Sequence, residues 1–369
     1  MKGPLSDVRV LDFSTLLPGP MATLLLADAG AEVIKIERPN GEDMRGYEPK
    51  VGDDSVNFGL LNAGKHSLAI DLKAPGSIEK LKPLIASADV VIEQFRPGVM
   101  DRLGLGYEAM KAINPRIIYC AITGYGQTGP KSQVAAHDLN YIAESGLLAI
   151  AADSTGAPVV PPALIADIAG GAYPAVMNVL LALRQRDQSG VGCKIDVSMS
   201  DNMFTFLYWA MGEGFSSGQW PTPGGGRIAG GSPRYQIYRT ADNKFVAAAP
   251  LEQKFWENFC ELIGLEKSLR DDRIDVAATK RGVAAIIATE TAATWDERFA
   301  GKDICCCLVK SIEEATRDPH FVERGLFSRT LNMGERAVPA LHTPIAPAFR
   351  SDEIEQSFPI LGTANNLLG

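Results

Sequence analysis

Apolar residues in the first third of the chain fall into short, unbroken runs separated by helical patterns. Val8–Phe13 is too short for a helix and reads as a buried strand. Pro20–Ala29 is apolar along its length, with Pro20 near its first turn and Gly30 at its end, which predicts a helix. Glu32–Glu37 alternates back into a strand and completes a βαβ unit. His66–Leu72 is a third strand, Gly76–Ala88 an amphipathic helix behind Pro75, and Asp89–Phe95 and Arg116–Ile122 are two more buried strands. Such alternation predicts an α/β chain with a doubly wound, mostly parallel sheet and helices on both faces. Asp167–Arg186 is a second helical zone whose Arg184 and Arg186 suit the negative end of a helix dipole.

The pattern changes after Pro221–Gly231, a Gly/Pro-rich connector with little to pack. Tyr235–Thr240 and Lys244–Ala249 flank Ala241–Asp242–Asn243 and read as a β-hairpin. Helices are expected around Gln253–Ile263, Val283–Thr289 and Thr294–Phe299, giving a smaller α+β domain. The length of 369 residues fits this division, being more than one core usually spans.

A net charge of −8 argues against nucleic acid or an anionic membrane as the main partner. A few local arginines still suffice for an anionic small molecule. No stretch reads as a membrane span, and Met1–Phe13 lacks the form of a signal peptide, so a cytoplasmic protein is expected. The six cysteines, including Cys305, Cys306 and Cys307 in a row, match no metal or disulfide spacing and are read as buried, reduced thiols.

In open α/β sheets ligands collect beyond the carboxyl ends of the strands. Arg38 follows Glu32–Glu37 and Arg96 follows Asp89–Phe95, each with a proline after it. Their planar forks suit phosphate, the alternative being solvated surface side chains. Gly124–Gly129 matches G-x-G-x-x-G, but Pro130 and the polar residues beyond it open no helix. We therefore read no dinucleotide site there.

Several segments, in order, resemble family III CoA-transferases. They are Val8–Phe13, Pro18–Pro20, Leu26–Pro39, Asn62–Lys65, Asp71–Lys73, Glu93–Gly98, Thr123–Pro130 and, in the second domain, Tyr238–Asp242. The resemblance implies a Rossmann-like large domain at residues 1–200, a linker at 201–230, a small domain at 231–328 and a segment at 329–369 returning to the large domain. It also implies an interlocked homodimer, and coenzyme A as part of the substrate with no prosthetic group or metal. By position Arg38, Lys65, Leu72 and Arg96 are similar to contacts with the adenosine and phosphates of CoA, with Asn62 beside them.

Two chemistries share that scaffold. Transferases of the family use a carboxylate nucleophile, at a position like Asp167. The 2-methylacyl-CoA racemases resemble this chain more closely at Ala136–Tyr141, at Ala166–Asp167 with Gly170–Gly171, and at Pro250–Trp256. Inverting a carbon next to a thioester requires one acid–base group on each face, and a histidine and a carboxylate are tuned readily to that task. His137 and Asp167 are the candidate pair, with Glu252 orienting His137 and N–H groups near Asp167 receiving the enolate oxygen. Taken alone, each residue has a structural alternative, such as Asp167 as a helix cap. Ala136, Asp138, Asn140 and Tyr141 are expected along the CoA tail or behind His137. Met199, Met203 and Met211 are read first as core, second as a sliding surface for an acyl chain.

Overall fold

The computed structural model describes residues 3–153 and 155–368. The chain sorts into two compact units, the first built from residues up to Ser145, Pro162–Thr205 and Pro319 onward. Its core is a parallel sheet. β1 (Arg9–Asp12), α1 (Pro18–Asp28) and β2 (Glu32–Glu37) form the expected βαβ unit. β3 (His66–Ala69), α2 (Ser77–Ser87), β4 (Val90–Glu93) and β5 (Ile118–Thr123) follow. After them come α3 (Asp138–Glu144), α4 (Tyr173–Ser189) and β6 (Lys194–Ser198). The six strands lie in the order β3-β2-β1-β4-β5-β6, all parallel, with Val10 opposite Val33 on one side and Val90 on the other.

β4 and β5 are buried at every position, as strands covered on both faces must be. On one face Leu11, Ile34, Leu68 and Val91 pack with Leu81 and Ile85 of α2. Strand order reverses between β1 and β4, which leaves a crevice at their carboxyl ends.

Sequence reading gave no strand for β6, whose Lys194 and Asp196 are exposed at the sheet edge. It also found no membrane-length helix, whereas Ala166–Ser189 is continuous and long and apolar enough to cross one. Val176, Val179 and Leu183 of this helix are buried within the unit, whereas Met177, Leu180 and Leu181 are exposed. The chain from Pro319 onward belongs to this unit. Arg329 forks onto the buried Asp28 carboxylate at 3.0 and 2.6 Å, and the Thr343 hydroxyl donates to the same group.

The second unit comprises residues 146–161 and 206–318. It differs from the expected linker at 201–230, because α5 (Tyr208–Ser217) forms there and residues 146–161 join it. β7 (Gln236–Arg239) and β8 (Phe245–Ala248) make the hairpin, with Asn243 in the left-handed region at φ 59°. Then come α6 (Gln253–Ile263), α7 (Val276–Ile287), α8 (Ala292–Phe299) and β9 (Cys306–Leu308), the last pairing with β8. Val246, Trp256, Phe259, Val283 and Trp295 form its core. Cys305 and Cys307 are exposed and Cys306 is not, against the expectation of buried thiols. Neighbours on a strand face opposite ways, so three consecutive cysteines cannot share one interior.

Candidate active site

Two clefts open at the carboxyl ends of the first unit's strands, and Phe95 lines both. The larger, of about 760 Å³, has apolar walls from Phe13, Ile36, Ile70 and Leu72. Arg38, Lys73 and Arg102 stand around it. Flat apolar walls beneath cations suit a nucleotide. Arg38 is held in place by the Gly41 carbonyl at 2.6 Å and by Asp43. Lys73 and Arg102 escaped the sequence reading. The available signal was a cation six residues beyond Arg96, at the end of the short helix Val99–Arg102.

Asn62 and Lys65 line neither cleft; both are buried beneath them. The Lys65 ammonium donates to Asn62 Oδ1 at 2.8 Å, Thr23 Oγ1 at 2.7 Å, the Pro20 carbonyl at 2.9 Å and Asp12 at 3.3 Å. Every donor is used inside the fold, so this geometry gives Lys65 the job of anchoring α1 over β1. Burial pulls its pKa down to about 8 against the pull of Asp12. Burial alone would raise the Asp12 pKa, but Lys35, Lys65 and two hydroxyls hold it at about 2.

The second cleft, of about 390 Å³, gathers Arg96, Ala136, His137, Asn140, Tyr141 and Asp167. Its floor is built by close approach. A Cβ on Gly124 would lie 2.5 Å from the Tyr141 ring, and one on Gly19 only 2.1 Å from Ser14. Gln94 ties β4 to the start of α1, accepting from the Gly19 N–H at 3.0 Å and donating to the Thr15 carbonyl at 2.5 Å. Tyr141 donates to the Ala136 carbonyl at 2.9 Å and meets the Tyr125 ring edge-on at 5.3 Å.

His137 is the exposed residue just before α3, its N–H donating to Asn140 Oδ1 at 3.0 Å. Asp138 is buried behind it, and its Oδ1 accepts the Asp167 backbone N–H at 3.0 Å. That bond takes up the N–H of Asp167 itself, and Asp167 does not cap a helix but lies within the π-helical turn Ala166–Ala172 leading into α4. Wide turns of this kind are frequent at functional sites. Gly170 and Gly171 let the turn press against Met199, where a Cβ on Gly170 would meet the Met199 carbonyl at 2.6 Å.

Asp167 is half-buried, and its pKa is pushed up to about 6 by burial first and by Asp138 second, with His137 opposing. A carboxyl poised near neutrality beside an imidazole is equipped to give and take protons. Met199 lines the cleft, whereas Met203 is fully buried and belongs to the core. Glu252 lies on the second unit, exposed, just before α6. Among the described residues no group of three His, Cys, Asp or Glu is placed to hold a metal ion.

Comparison with known proteins agrees with this architecture. A match to CoA-transferase family III runs over residues 5–365. The chain is 34% identical to human α-methylacyl-CoA racemase over 355 residues, covering 94% of this chain and 89% of that one. It is 35% identical to the acetyl-CoA:oxalate CoA-transferase of Acetobacter aceti over 343 residues, covering 89% and 86%. The crystal structure of Rv3272 from M. tuberculosis superposes with a TM-score of 0.86 at 28% identity, covering 100% of this chain and 99% of that one. The chain belongs to CoA-transferase family III, an enzyme superfamily acting on CoA thioesters.

Proposed function

We propose that this protein inverts the carbon next to the thioester of a 2-methylacyl-CoA. The observation that carries the reading is His137 and Asp167 lining one cleft, with Asp167 tuned to about 6. One group takes the C2 proton, electrons move onto the thioester oxygen, and the other returns a proton to the opposite face. Arg38, Leu72, Lys73 and Arg102 would hold the nucleotide in the larger cleft, and Arg96 the approach to the smaller one. Glu252 is proposed to assist His137, on the strength of resemblance alone.

Transfer of CoA is the second reading, and the comparisons favour it. A transferase is as similar in sequence as the racemase. A mycobacterial relative, 31% identical, is named a probable fatty acyl-CoA transferase. Here the Asp167 carboxylate attacks the thioester carbonyl and CoA thiolate leaves, giving a mixed anhydride; the thiolate then returns to the aspartyl carbonyl and releases the acid, and an acceptor carboxylate repeats the two steps in reverse, taking CoA and freeing Asp167. Incubation with a 2-methylacyl-CoA in deuterated water separates the two. Exchange at C2 without an acceptor acid is expected for inversion. Acyl exchange only when a second carboxylate is present would overturn it in favour of transfer.

We also propose that the working form is a homodimer. Tyr208, Phe215 and Trp220, on one short segment of the second unit, are 65%, 76% and 57% exposed. Aromatic surface of that extent is usually covered by a partner. Light scattering is expected to give twice the mass of 39.5 kDa, and a monomer with full activity would refute the assembly.

A further inference from the structure

A cavity of about 930 Å³ in the second unit is lined by none of the residues assigned to the chemistry above. Five cations line it, Arg227, Arg234, Lys267, Arg270 and Arg273, against three carboxylates, Glu257, Asp271 and Asp272. Two carboxylates are already matched. Asp272 receives the Arg234 fork at 3.0 and 2.7 Å, and Asp271 receives Arg273 at 2.8 and 2.9 Å. Glu257 accepts from the neutral Gln253 amide at 2.9 Å. Among the described residues, Arg227, Lys267 and Arg270 have no carboxylate partner within salt-bridge distance.

The walls are rigid where it matters. Arg234 is mostly buried, lies 5.0 Å over the Trp256 ring and donates to Gln253 at 2.9 Å. Trp256, fully buried, donates its indole N–H to the Arg270 carbonyl at 2.7 Å. The Arg270 side chain is pinned through Nε to the Leu265 carbonyl at 2.9 Å, which leaves its terminal nitrogens to face other acceptors. A half-buried guanidinium with one edge fixed is a pre-aimed anion donor. A concave surface with an excess of two positive charges on a chain of net −8 focuses potential on multiply charged anions.

We infer that this cavity binds a phosphate-class polyanion, held by Arg270 with Arg227 and Lys267. The cavity shares no lining residue with the cleft around Arg38 and does not rest on the proposed reaction. Inorganic pyrophosphate, titrated calorimetrically at low salt, is the probe, with acetate as the singly charged control. Two classes of pyrophosphate site are expected in the full-length protein. Arg38→Gln with Arg102→Gln should remove one class and leave the other. Arg227→Gln with Lys267→Gln, at two exposed positions, should weaken the remaining class by at least about tenfold, two charged contacts being lost. Arg270→Gln alone should weaken the same class, and circular dichroism reports whether each variant is folded. Unchanged binding in the folded Arg227→Gln/Lys267→Gln protein would overturn the inference, as would loss of all binding in Arg38→Gln/Arg102→Gln or equal binding of acetate.

Discussion

Two clusters of charge in the first unit are built on opposite principles. Asp12 and Lys65 are themselves fully matched: carboxylate to ammonium, ammonium to carbonyl, hydroxyl to carboxylate. Around Asp167 the matching stops at the backbone. Asp138 holds the Asp167 N–H, while Asp167 and His137 both line the cleft and make no salt bridge among the described residues. Saturated charge fixes structure, and unsaturated charge in a cleft is free to act on a ligand.

The strongest test of this contrast is removal of the unsaturated pair. His137→Ala and Asp167→Ala should each lower turnover by about 10²–10⁴-fold, with melting temperatures close to that of the parent. Under the inversion reading, deuterium uptake from one pure enantiomer should depend mainly on His137 and from the other mainly on Asp167. Asp167 must be ionised to act as base, so the exchange it drives should fall as pH drops through about 6. If His137→Ala left exchange from both enantiomers near the parent rate, the acid–base pair would be wrongly assigned.

The reverse result is expected for the saturated cluster. Lys65→Met leaves Asp12 with Lys35 and two hydroxyls against its burial and should cost about 3 kcal/mol of stability, while the folded fraction keeps its turnover. Urea unfolding together with activity per folded molecule measures both. A stable Lys65→Met protein that had lost CoA affinity would instead put Lys65 in direct contact with the ligand.

This contrast also marks how far the sequence is legible. The βαβ start, the hairpin around Asp242 and α6 are readable because each is a local pattern, a run or an alternation bounded by turn residues. β6 is not, since Lys194-Ile-Asp-Val-Ser198 presents charge at two of its five positions and becomes a strand only by pairing with β5. α5 is hidden by the glycines and prolines that follow it. His137 and Asp167 stand out by residue type. The bond from Asp138 to the Asp167 N–H does not, because it spans 29 residues and no spacing rule reports it. Lys65 misleads in the same way, since a lysine in a ligand-family motif looks identical whether its ammonium faces a phosphate or a buried aspartate.

A smaller effect is expected at the nucleotide cleft, where the cations are exposed. Arg38→Ala and Arg102→Ala should each weaken CoA binding by about 1.5–3 kcal/mol, the range for a charged hydrogen bond, without altering stability. Unchanged calorimetric affinity in both would remove the nucleotide from that cleft.

The smallest concerns Glu93, which lies between the two behaviours. Burial pushes its pKa up to about 7 although the Phe95 N–H and Tyr119 hydroxyl donate to it. The folded state therefore holds a proton that the unfolded chain releases near pH 4.5, and stability from this group declines as pH rises from there through 7. Glu93→Gln should flatten that slope, by about 1 kcal/mol over the part of it that lies between pH 6 and pH 8. Thermal melts at pH 6 and pH 8 that differ equally in parent and variant would assign the slope elsewhere.

The bond from Asp167 to Asp138 has a consequence for how this enzyme can change over evolutionary time. Between those residues the chain leaves its own unit, spends residues 146–161 as part of the other, and comes back. The spacing of His137 and Asp167 is nevertheless set by one short clasp and not by the length of that excursion. Insertions or deletions in 146–161 can therefore accumulate without moving His137 and Asp167 apart, which leaves the detour open to being reshaped while that pair stays where it is.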